Sequence, residues 1–154
     1  MENDIRFENR RFNPELTPFL PLAKEMAKAF GYTADLSVNK ELAQLLRLRV
    51  SQYNECAYCV ILHAATARDI GIHPSKVDNI SSWNQSDLYT DAEKTALEYT
   101  DSLTHGKDSD FQQKHDKMSA FYSEVEIAEI AAIVINMNVW TRLKLAQGET
   151  PVFS

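Results

Sequence analysis

Apolar residues recur every three or four positions along most of the chain, which is the spacing of one face of an α-helix. No segment alternates apolar and polar residues as a half-buried strand would, so the expected fold class is all-α. The two ends lack periodicity, and we expect an extended arm over residues 1–13 and an irregular tail over 147–154. The pattern predicts helices over residues 16–30, 37–53, 56–70, 90–103, 108–122 and from 124 onward, with a polar loop over 72–89 that holds one short helical turn.

Polar residues at the helix starts support these boundaries. Ser37 is the expected N-cap of the second helix. Thr90-Asp-Ala-Glu93 and Ser123-Glu-Val-Glu126 both have the capping-box spacing, in which the first side chain and the fourth satisfy each other's backbone amides. The helix after Ser123 is apolar nearly all round, which indicates a core position or a subunit contact. Its charged and amide residues argue against a membrane span.

The composition narrows the class of protein. A chain of 154 residues with 44% hydrophobic and 25% charged residues is expected to form one soluble domain. The formal charge of −6 provides no concentrated positive surface, so nucleic acid is not an expected partner. The chain begins Met-Glu-Asn-Asp, without the apolar run of a signal peptide. We therefore expect a cytoplasmic protein that binds neither nucleic acid nor membrane.

The candidate chemistry is concentrated in the third predicted helix. Cys56 and Cys59 are the only two cysteines, and His63 follows four residues after the second. On a helix, spacings of three and four residues place the three side chains along one stripe. In a reducing compartment, a C-x-x-C pair is more often catalytic or metal-binding than a structural disulfide.

Several interpretations of this stripe can be compared. A thioredoxin-like site requires a strand before the first cysteine, and none is predicted. A c-type haem site requires histidine directly after the second cysteine, where Val60 stands. Zinc could take three ligands from the stripe, but a structural zinc site usually has four in two pairs. The cysteines could also be buried as small apolar residues.

The redox interpretation has a physical mechanism. A helix N-terminus and a nearby imidazole both favour the thiolate, which is the nucleophilic form of cysteine. Attack on a peroxide oxygen gives a sulfenic acid, which condenses with a neighbouring thiol to form a disulfide. A thiol one helical turn away can close that bond with little movement of the backbone.

The residues around the stripe resemble a known family. The segment Arg47-Leu-Arg-Val-Ser-Gln-Tyr-Asn-Glu-Cys-Ala-Tyr-Cys-Val-Ile-Leu-His63 is similar to the signature of AhpD-like alkylhydroperoxidases, in the carboxymuconolactone decarboxylase superfamily. Asn138-Val-Trp-Thr-Arg-Leu143 resembles the closing helix of that family. The resemblance covers most of the chain. It implies a single-domain helical fold with C-x-x-C at the N-terminus of a central helix, assembled into homo-oligomers, commonly trimers or hexamers.

The resemblance also implies roles for individual residues. Cys59 matches the cysteine that attacks the hydroperoxide, Cys56 matches the resolving cysteine, and His63 matches a member of the proton relay. No cofactor is implied beyond an external dithiol reductant, which in family members can be a lipoyl-bearing protein. Helix-dipole reasoning favours Cys56 as the more acidic thiol, because it lies nearer the N-terminus. We follow the resemblance and take Cys59 as the attacking residue.

The chain departs from the family pattern at two positions. The family relay uses a glutamate twelve residues before the first cysteine, where this chain has Gln44. Glu41, one turn earlier on the same predicted helix face, is a candidate substitute, and a solvated carboxylate at a helix start is its simpler interpretation. Tyr58 stands where some members carry a histidine. Tyr53 and Tyr58 are candidates for shaping a peroxide pocket, although core packing explains them equally well.

The sequence therefore predicts a thiol-dependent peroxidase that reduces hydroperoxides through a Cys59/Cys56 cycle, with His63, Gln44 and Glu41 as candidate relay residues. A disulfide reductase or a decarboxylase-like lyase on the same fold is an alternative. The lyase does not depend on a cysteine pair. A non-enzymatic redox-sensing or metal-binding helical module is a further alternative.

Overall fold

A computed structural model describes residues 4–154. Within that range, seven α-helices and one two-stranded sheet form the fold, which confirms the helical class predicted from the sequence. Two short 3-10 helices cover Pro14–Leu16 and Ile80–Gln85. The strands and helices are β1 Ile5–Asn9, α1 Phe19–Phe30, α2 Lys40–Tyr53, α3 Ala57–Asp69, α4 Pro74–Asn79, α5 Asp91–His105, α6 Phe111–Met118, α7 Glu124–Gln147 and β2 Glu149–Phe153.

The core is built around α2, which packs against α3, α5 and α7. Its residues 42–48 are all buried, so this helix has neighbours on every side. Leu45, Leu46 and Leu48 are at most 1% exposed, and burying a leucine side chain contributes about 2 kcal/mol. The same burial draws two polar side chains of α2, Gln44 and Arg47, into the interior.

The predicted caps of α5 and α7 are confirmed. In each helix the side chain of Thr90 or Ser123 accepts a hydrogen bond from the backbone amide three residues later, and the glutamate carboxylate at that position accepts one from the backbone amide of Thr90 or Ser123. The expectation of a core position for the apolar helix α7 agrees with its buried face, where Ile130, Ile133 and Val134 are fully buried.

The prediction of Ser37 as the N-cap of α2 is wrong. Asn39 caps the helix, and its side chain accepts from the amide of Leu42 at 3.0 Å. The amides of Ser37 and Val38 instead donate to the carboxylate of Glu129 on α7, at 3.1 and 2.9 Å. A carboxylate on a distant helix thus accepts hydrogen bonds from this backbone, where the sequence predicted a local cap by the Ser37 side chain.

The predicted irregular tail is also wrong, and the predicted arm is more regular than expected. Residues 5–9 and 149–153 pair as an antiparallel ladder, with Phe7 opposite Pro151. Gly148 adopts φ 73°, a left-handed conformation that ends α7 and turns the chain into β2. Residues 1–3 of the predicted arm lie outside the described residues.

Two other boundaries differ from the prediction. The region expected as a polar loop over 72–89 contains α4 and the second 3-10 helix. The helix expected over 108–122 is shortened to Phe111–Met118. Among the helices of residues 4–154, none has the length and apolar character needed to cross a membrane.

Candidate functional site

A sharp turn between α2 and α3 creates the cysteine site. Asn54 caps the end of α2, and Glu55 adopts a left-handed conformation with φ 55°. The side chain of Asn54 is fixed by hydrogen bonds to Asn138 and Thr141 of α7, both at 3.0 Å. The chain is thereby reversed, and Cys56 is placed at the start of the next helix.

The two cysteines lie across the first turn of α3, as the sequence predicted. Cys56 is the N-cap residue, and its Sγ accepts a hydrogen bond from the amide of Cys59 at 3.4 Å. The two sulfurs are joined in a disulfide, with 5.3 Å between the Cα atoms. Both residues are only 2% exposed. The pair can therefore form a disulfide without rearrangement of the fold.

His63 lies two turns into α3 and is held by Gln44 of α2. The amide nitrogen of Gln44 is 3.0 Å from His63 Nδ1 and 3.1 Å from the His63 carbonyl oxygen. The amide oxygen of Gln44 accepts from Arg47 Nη1 at 3.2 Å, and Arg47 Nη2 donates to the carbonyl of Phe30. Gln44 thus connects a buried guanidinium to the imidazole.

This network determines which nitrogen of His63 carries the proton. Arg47 can only donate, and the backbone carbonyl of His63 can only accept. Gln44 must therefore direct its oxygen to Arg47 and its NH₂ group to His63. Because that NH₂ group donates to Nδ1, Nδ1 is unprotonated, and the neutral ring carries its proton on Nε2. The available nitrogen of His63 is a hydrogen-bond donor.

Burial and charge keep the His63 ring neutral. Burial, followed by the nearby positive charge of Arg47, lowers the pKa of His63 to about 3. Burial also lowers the pKa of Arg47 to about 10. Arg47 is 4% exposed and makes no ion pair with any residue in the described range 4–154. Its positive charge is therefore balanced by carbonyl and amide oxygens alone.

A cavity of about 380 Å³ opens beside this network. Cys59, His63 and Tyr58 line it, whereas Cys56 is not among its lining residues. Aromatic, aliphatic and lysine side chains provide much of the remaining wall. These other residues include Ala27, Tyr32, Leu62, Met137 and Trp140, with Lys24, Lys28 and Lys144.

Tyr58 is held at the edge of the cavity by the two-stranded sheet and α7. Its ring meets Phe7 of β1 edge-on at 4.9 Å, and the ammonium group of Lys144 lies 4.4 Å from the ring centroid. Burial, then the charge of Glu149 and Tyr32, raises the pKa of Tyr58. The phenol is therefore a neutral wall of the cavity at physiological pH.

The structure separates two other predicted site residues from the cavity. Tyr53 is 38% exposed, and its ring lies under the guanidinium of Arg49 at 5.5 Å. Glu41 is exposed and lines a different cavity, together with Gln44 and Arg47. No hydrogen bond joins Glu41 to His63 within residues 4–154. Of the predicted set, the geometry brings together Cys56, Cys59, His63, Gln44 and Tyr58.

Among residues 4–154, no metal-ligand cluster accompanies the cysteines. Within the described part of the chain, no three His, Cys, Asp or Glu side chains are grouped so that they could hold an ion. His73, a histidine outside the stripe, caps α4 by accepting from the amide of Ser75 at 3.1 Å. The described residues thus bring no further zinc ligand to the stripe of Cys56, Cys59 and His63.

Sequence reasoning missed three residues of the site. Arg47 lies inside the signature segment, but nothing in the pattern predicts that its guanidinium is buried. Asn136 and Trp140 lie on the helix that the sequence predicts to be in the core or at a subunit contact, and both line the cavity. The signal available in the sequence was an amide and an indole four residues apart in an otherwise apolar helix.

Comparisons with known proteins show the family of the chain. The sequence profile of the carboxymuconolactone decarboxylase family matches residues 21–102. The uncharacterized protein YdfG of Bacillus subtilis (strain 168) is 30% identical over 118 residues, which is 76% of this chain and 80% of YdfG.

Two solved structures share the fold. A protein of unknown function from Agrobacterium tumefaciens, for which an AhpD antioxidant-defence role has been suggested, superimposes with a TM-score of 0.80 at 23% identity, covering 92% of this chain and 96% of the other. The apo structure of the debrominase Bmp8 gives a TM-score of 0.71 at 24% identity, covering 85% and 73%. The chain belongs to the carboxymuconolactone decarboxylase family and has the AhpD-like fold.

Proposed function

We propose that the protein is a thiol peroxidase that reduces organic hydroperoxides, with Cys59 as the attacking residue and Cys56 as the resolving one. The observation that carries the proposal is the position of Cys59. It lines a cavity of about 380 Å³ together with His63, and its sulfur is within bonding reach of a second cysteine that does not line that cavity. A substrate in the cavity meets one sulfur, and the other sulfur is held behind it.

The chemistry balances as two half-steps. The Cys59 thiolate attacks the terminal oxygen of the hydroperoxide, the O–O bond breaks, and the products are a sulfenic acid and an alkoxide, which takes a proton to become the alcohol. The Cys56 thiol then displaces hydroxide from the sulfenic acid, giving the disulfide and water. Two thiols and one hydroperoxide thus yield one disulfide, one alcohol and one water.

The role of His63 follows from its tautomer. With the proton on Nε2, His63 donates a hydrogen bond to the sulfur of Cys59 or to the departing oxygen and does not act as a base. The amide N–H groups at the start of α3 add to the stabilisation of the thiolate. Gln44 is the positioning residue for this tautomer, in place of the glutamate of related proteins. Glu41 is exposed and remains at most a carboxylate that influences the network through solvent.

The cycle requires an electron donor. Reduction of the disulfide needs a dithiol, and a lipoyl-bearing protein is the donor that we propose from the family.

A homo-oligomer, trimer or hexamer, and a cytoplasmic location are proposed on the same basis.

A single-turnover titration tests this proposal. Free thiols of the reduced protein are counted before and after one equivalent of cumene hydroperoxide, and the zinc content of the same sample is measured. The expected result is the loss of two thiols, a Cys56–Cys59 disulfide found by mass spectrometry, and one equivalent of cumyl alcohol. Thiols that stay free in a metal-free sample would contradict a peroxidase, and stoichiometric zinc with inert thiols would favour the metal-binding alternative.

Reductive dehalogenation is a second candidate. The cavity is walled by the rings of Tyr32, Tyr58 and Trp140, which suits a small aromatic molecule, and one protein with this fold is a debrominase. An aryl bromide and two thiols would give the arene, a disulfide and hydrogen bromide. Bromide release from 2,3,4-tribromopyrrole, without oxidation by cumene hydroperoxide, would favour this candidate.

The two remaining enzymatic alternatives have their own tests. Disulfide reduction would be distinguished by turnover of a disulfide substrate, and a lyase by activity that survives loss of both cysteines.

A further inference from the structure

Two polar groups on one wall of the cavity have no hydrogen-bond partner among residues 4–154. Asn136 and Trp140 lie four residues apart on α7, and both line the cavity that contains Cys59 and His63. Asn136 is 1% exposed, and its Oδ1 atom is buried without a partner. The indole Nε1 of Trp140 is likewise buried without an acceptor.

Unpaired buried groups of this kind lower the stability of the folded protein unless a ligand pairs with them. A buried donor or acceptor that leaves its hydrogen bond unmade destabilises the folded protein, and most buried polar atoms in proteins are therefore paired. The neighbouring Asn138 shows the ordinary arrangement, because its side chain bonds to Asn54, Thr104 and the Val134 carbonyl. Two unpaired groups on the same wall, next to a nucleophilic sulfur, indicate a site for a polar ligand.

We propose that Asn136 and Trp140 bind the hydroperoxide group itself, an inference that rests on the proposed peroxidase function. The Oδ1 atom of Asn136 makes no hydrogen bond with any residue in the range 4–154, and the residue lines the cavity. Its oxygen accepts from the O–H of the hydroperoxide. The indole N–H of Trp140 donates to the oxygen that carries the organic group, which becomes the alkoxide.

The remaining wall defines the class of substrate. Ala27, Leu62 and Met137 add aliphatic surface to the aromatic rings of the cavity. An apolar organic group gains from burial against this surface at about 25 cal/mol per Å², whereas hydrogen peroxide has no apolar group to bury. The expected substrates are therefore alkyl or aryl hydroperoxides that combine one hydroperoxide group with a compact hydrocarbon part.

The test compares four proteins in their reduced form: the wild type, Asn136→Leu, Trp140→Phe and Trp83→Phe. Trp83→Phe is the matched control, because the Trp83 indole has a protein acceptor, Asp101 Oδ2 at 3.2 Å, and does not line the cavity. Rapid mixing gives the rate constants for oxidation by cumene hydroperoxide and by hydrogen peroxide. Oxidation by diamide serves as a peroxide-independent measure of the thiols, and the thermal midpoint serves as a measure of folding.

The expected result separates ligand binding from structure. Asn136→Leu and Trp140→Phe each lower the rate with cumene hydroperoxide about tenfold, the effect of one lost hydrogen bond. Both retain the diamide rate and a thermal midpoint at or above that of the wild type, because an unpaired buried group has been removed. Trp83→Phe shows the reverse: an unchanged peroxide rate and a lower midpoint.

Three results would overturn the inference, and they are distinguishable. If the wild type is not oxidised by cumene hydroperoxide, the proposed function fails and the inference fails with it. If the wild type is oxidised while Asn136→Leu and Trp140→Phe react within twofold of it, the function stands and the assignment of these residues is wrong. A lower midpoint in both cavity variants would also contradict it, since the groups would then have structural partners.

Discussion

The substitution Gln44→Glu tests the tautomer that the structure assigns to His63. In the wild type, the Gln44 amide donates to Nδ1 at 3.0 Å, so Nε2 holds the proton. A carboxylate at position 44 can only accept. It requires a proton on Nδ1, which leaves Nε2 unprotonated and able to accept the Cys59 proton. It also provides a counterion for Arg47, whose Nη1 already lies 3.2 Å from the position 44 oxygen.

The expected change in the oxidation rate of Gln44→Glu follows from these protonation states. With a pKa of about 3, only about one His63 ring in ten thousand is imidazolium at pH 7. A correctly oriented general base contributes about 10²–10⁴-fold. We expect Gln44→Glu to raise the rate of oxidation by cumene hydroperoxide at least tenfold, a fall of about 1.4 kcal/mol in the activation free energy. Stopped-flow measurement of thiol loss provides this rate.

A near-isosteric control separates the base from simple repacking. Gln44→Leu leaves both Arg47 and His63 without their partner, which should cost about 2–3 kcal/mol of stability and give no gain in rate. Nitrogen NMR of the imidazole should place the proton on Nε2 in the wild type and on Nδ1 in Gln44→Glu. A proton on Nδ1 in the wild type, or an unchanged rate in Gln44→Glu, would refute this account of the relay.

Two further predictions concern stability. The pKa of folded His63 is about 3, whereas that of an unfolded histidine is about 6.5, so between these pH values only the unfolded chain binds a proton at His63. The stability that neutral His63 contributes to the folded protein is therefore present above pH 6.5 and is lost as the pH falls toward 3. The total loss is about 5 kcal/mol. Chemical denaturation of the wild type and His63→Gln across this range should show a steeper acid loss for the wild type, and parallel curves would contradict the burial argument. Glu129→Ala removes the acceptor of the Ser37 and Val38 amides and should lower the free energy of unfolding by about 2 kcal/mol. The control Glu124→Ala, at the exposed start of α7, should lower it by less than about 1 kcal/mol. Equal losses would mean that the Glu129 contact contributes nothing specific.

The helical part of the fold could be predicted because its signals are local. The capping boxes at Thr90 and Ser123 each need only four adjacent residues. The cysteine stripe needs only the helical repeat, and the structure brings Cys56, Cys59 and His63 together as that repeat implies. Local chemistry of this kind can be read from one segment of the chain.

The errors come from contacts between distant segments. The amide of Ser37 is satisfied by Glu129, which lies 92 residues away, and the strands 5–9 and 149–153 exist only because the two ends of the chain meet. The same reason explains why the cavity residues of α7 were missed. Their distance from Cys59 along the sequence is large, and only the packing of α7 beside α3 reveals their role.

The central claim is that Cys59 is the sulfur that meets the substrate, because it lines the cavity while Cys56 does not. The most direct measurement uses the variant Cys56→Ser, which cannot form the disulfide, treated with one equivalent of cumene hydroperoxide in the presence of dimedone. Peptide mass spectrometry should find the dimedone adduct of a sulfenic acid on Cys59. An unmodified Cys59 in this variant, together with a dimedone adduct on Cys56 in Cys59→Ser, would contradict the claim.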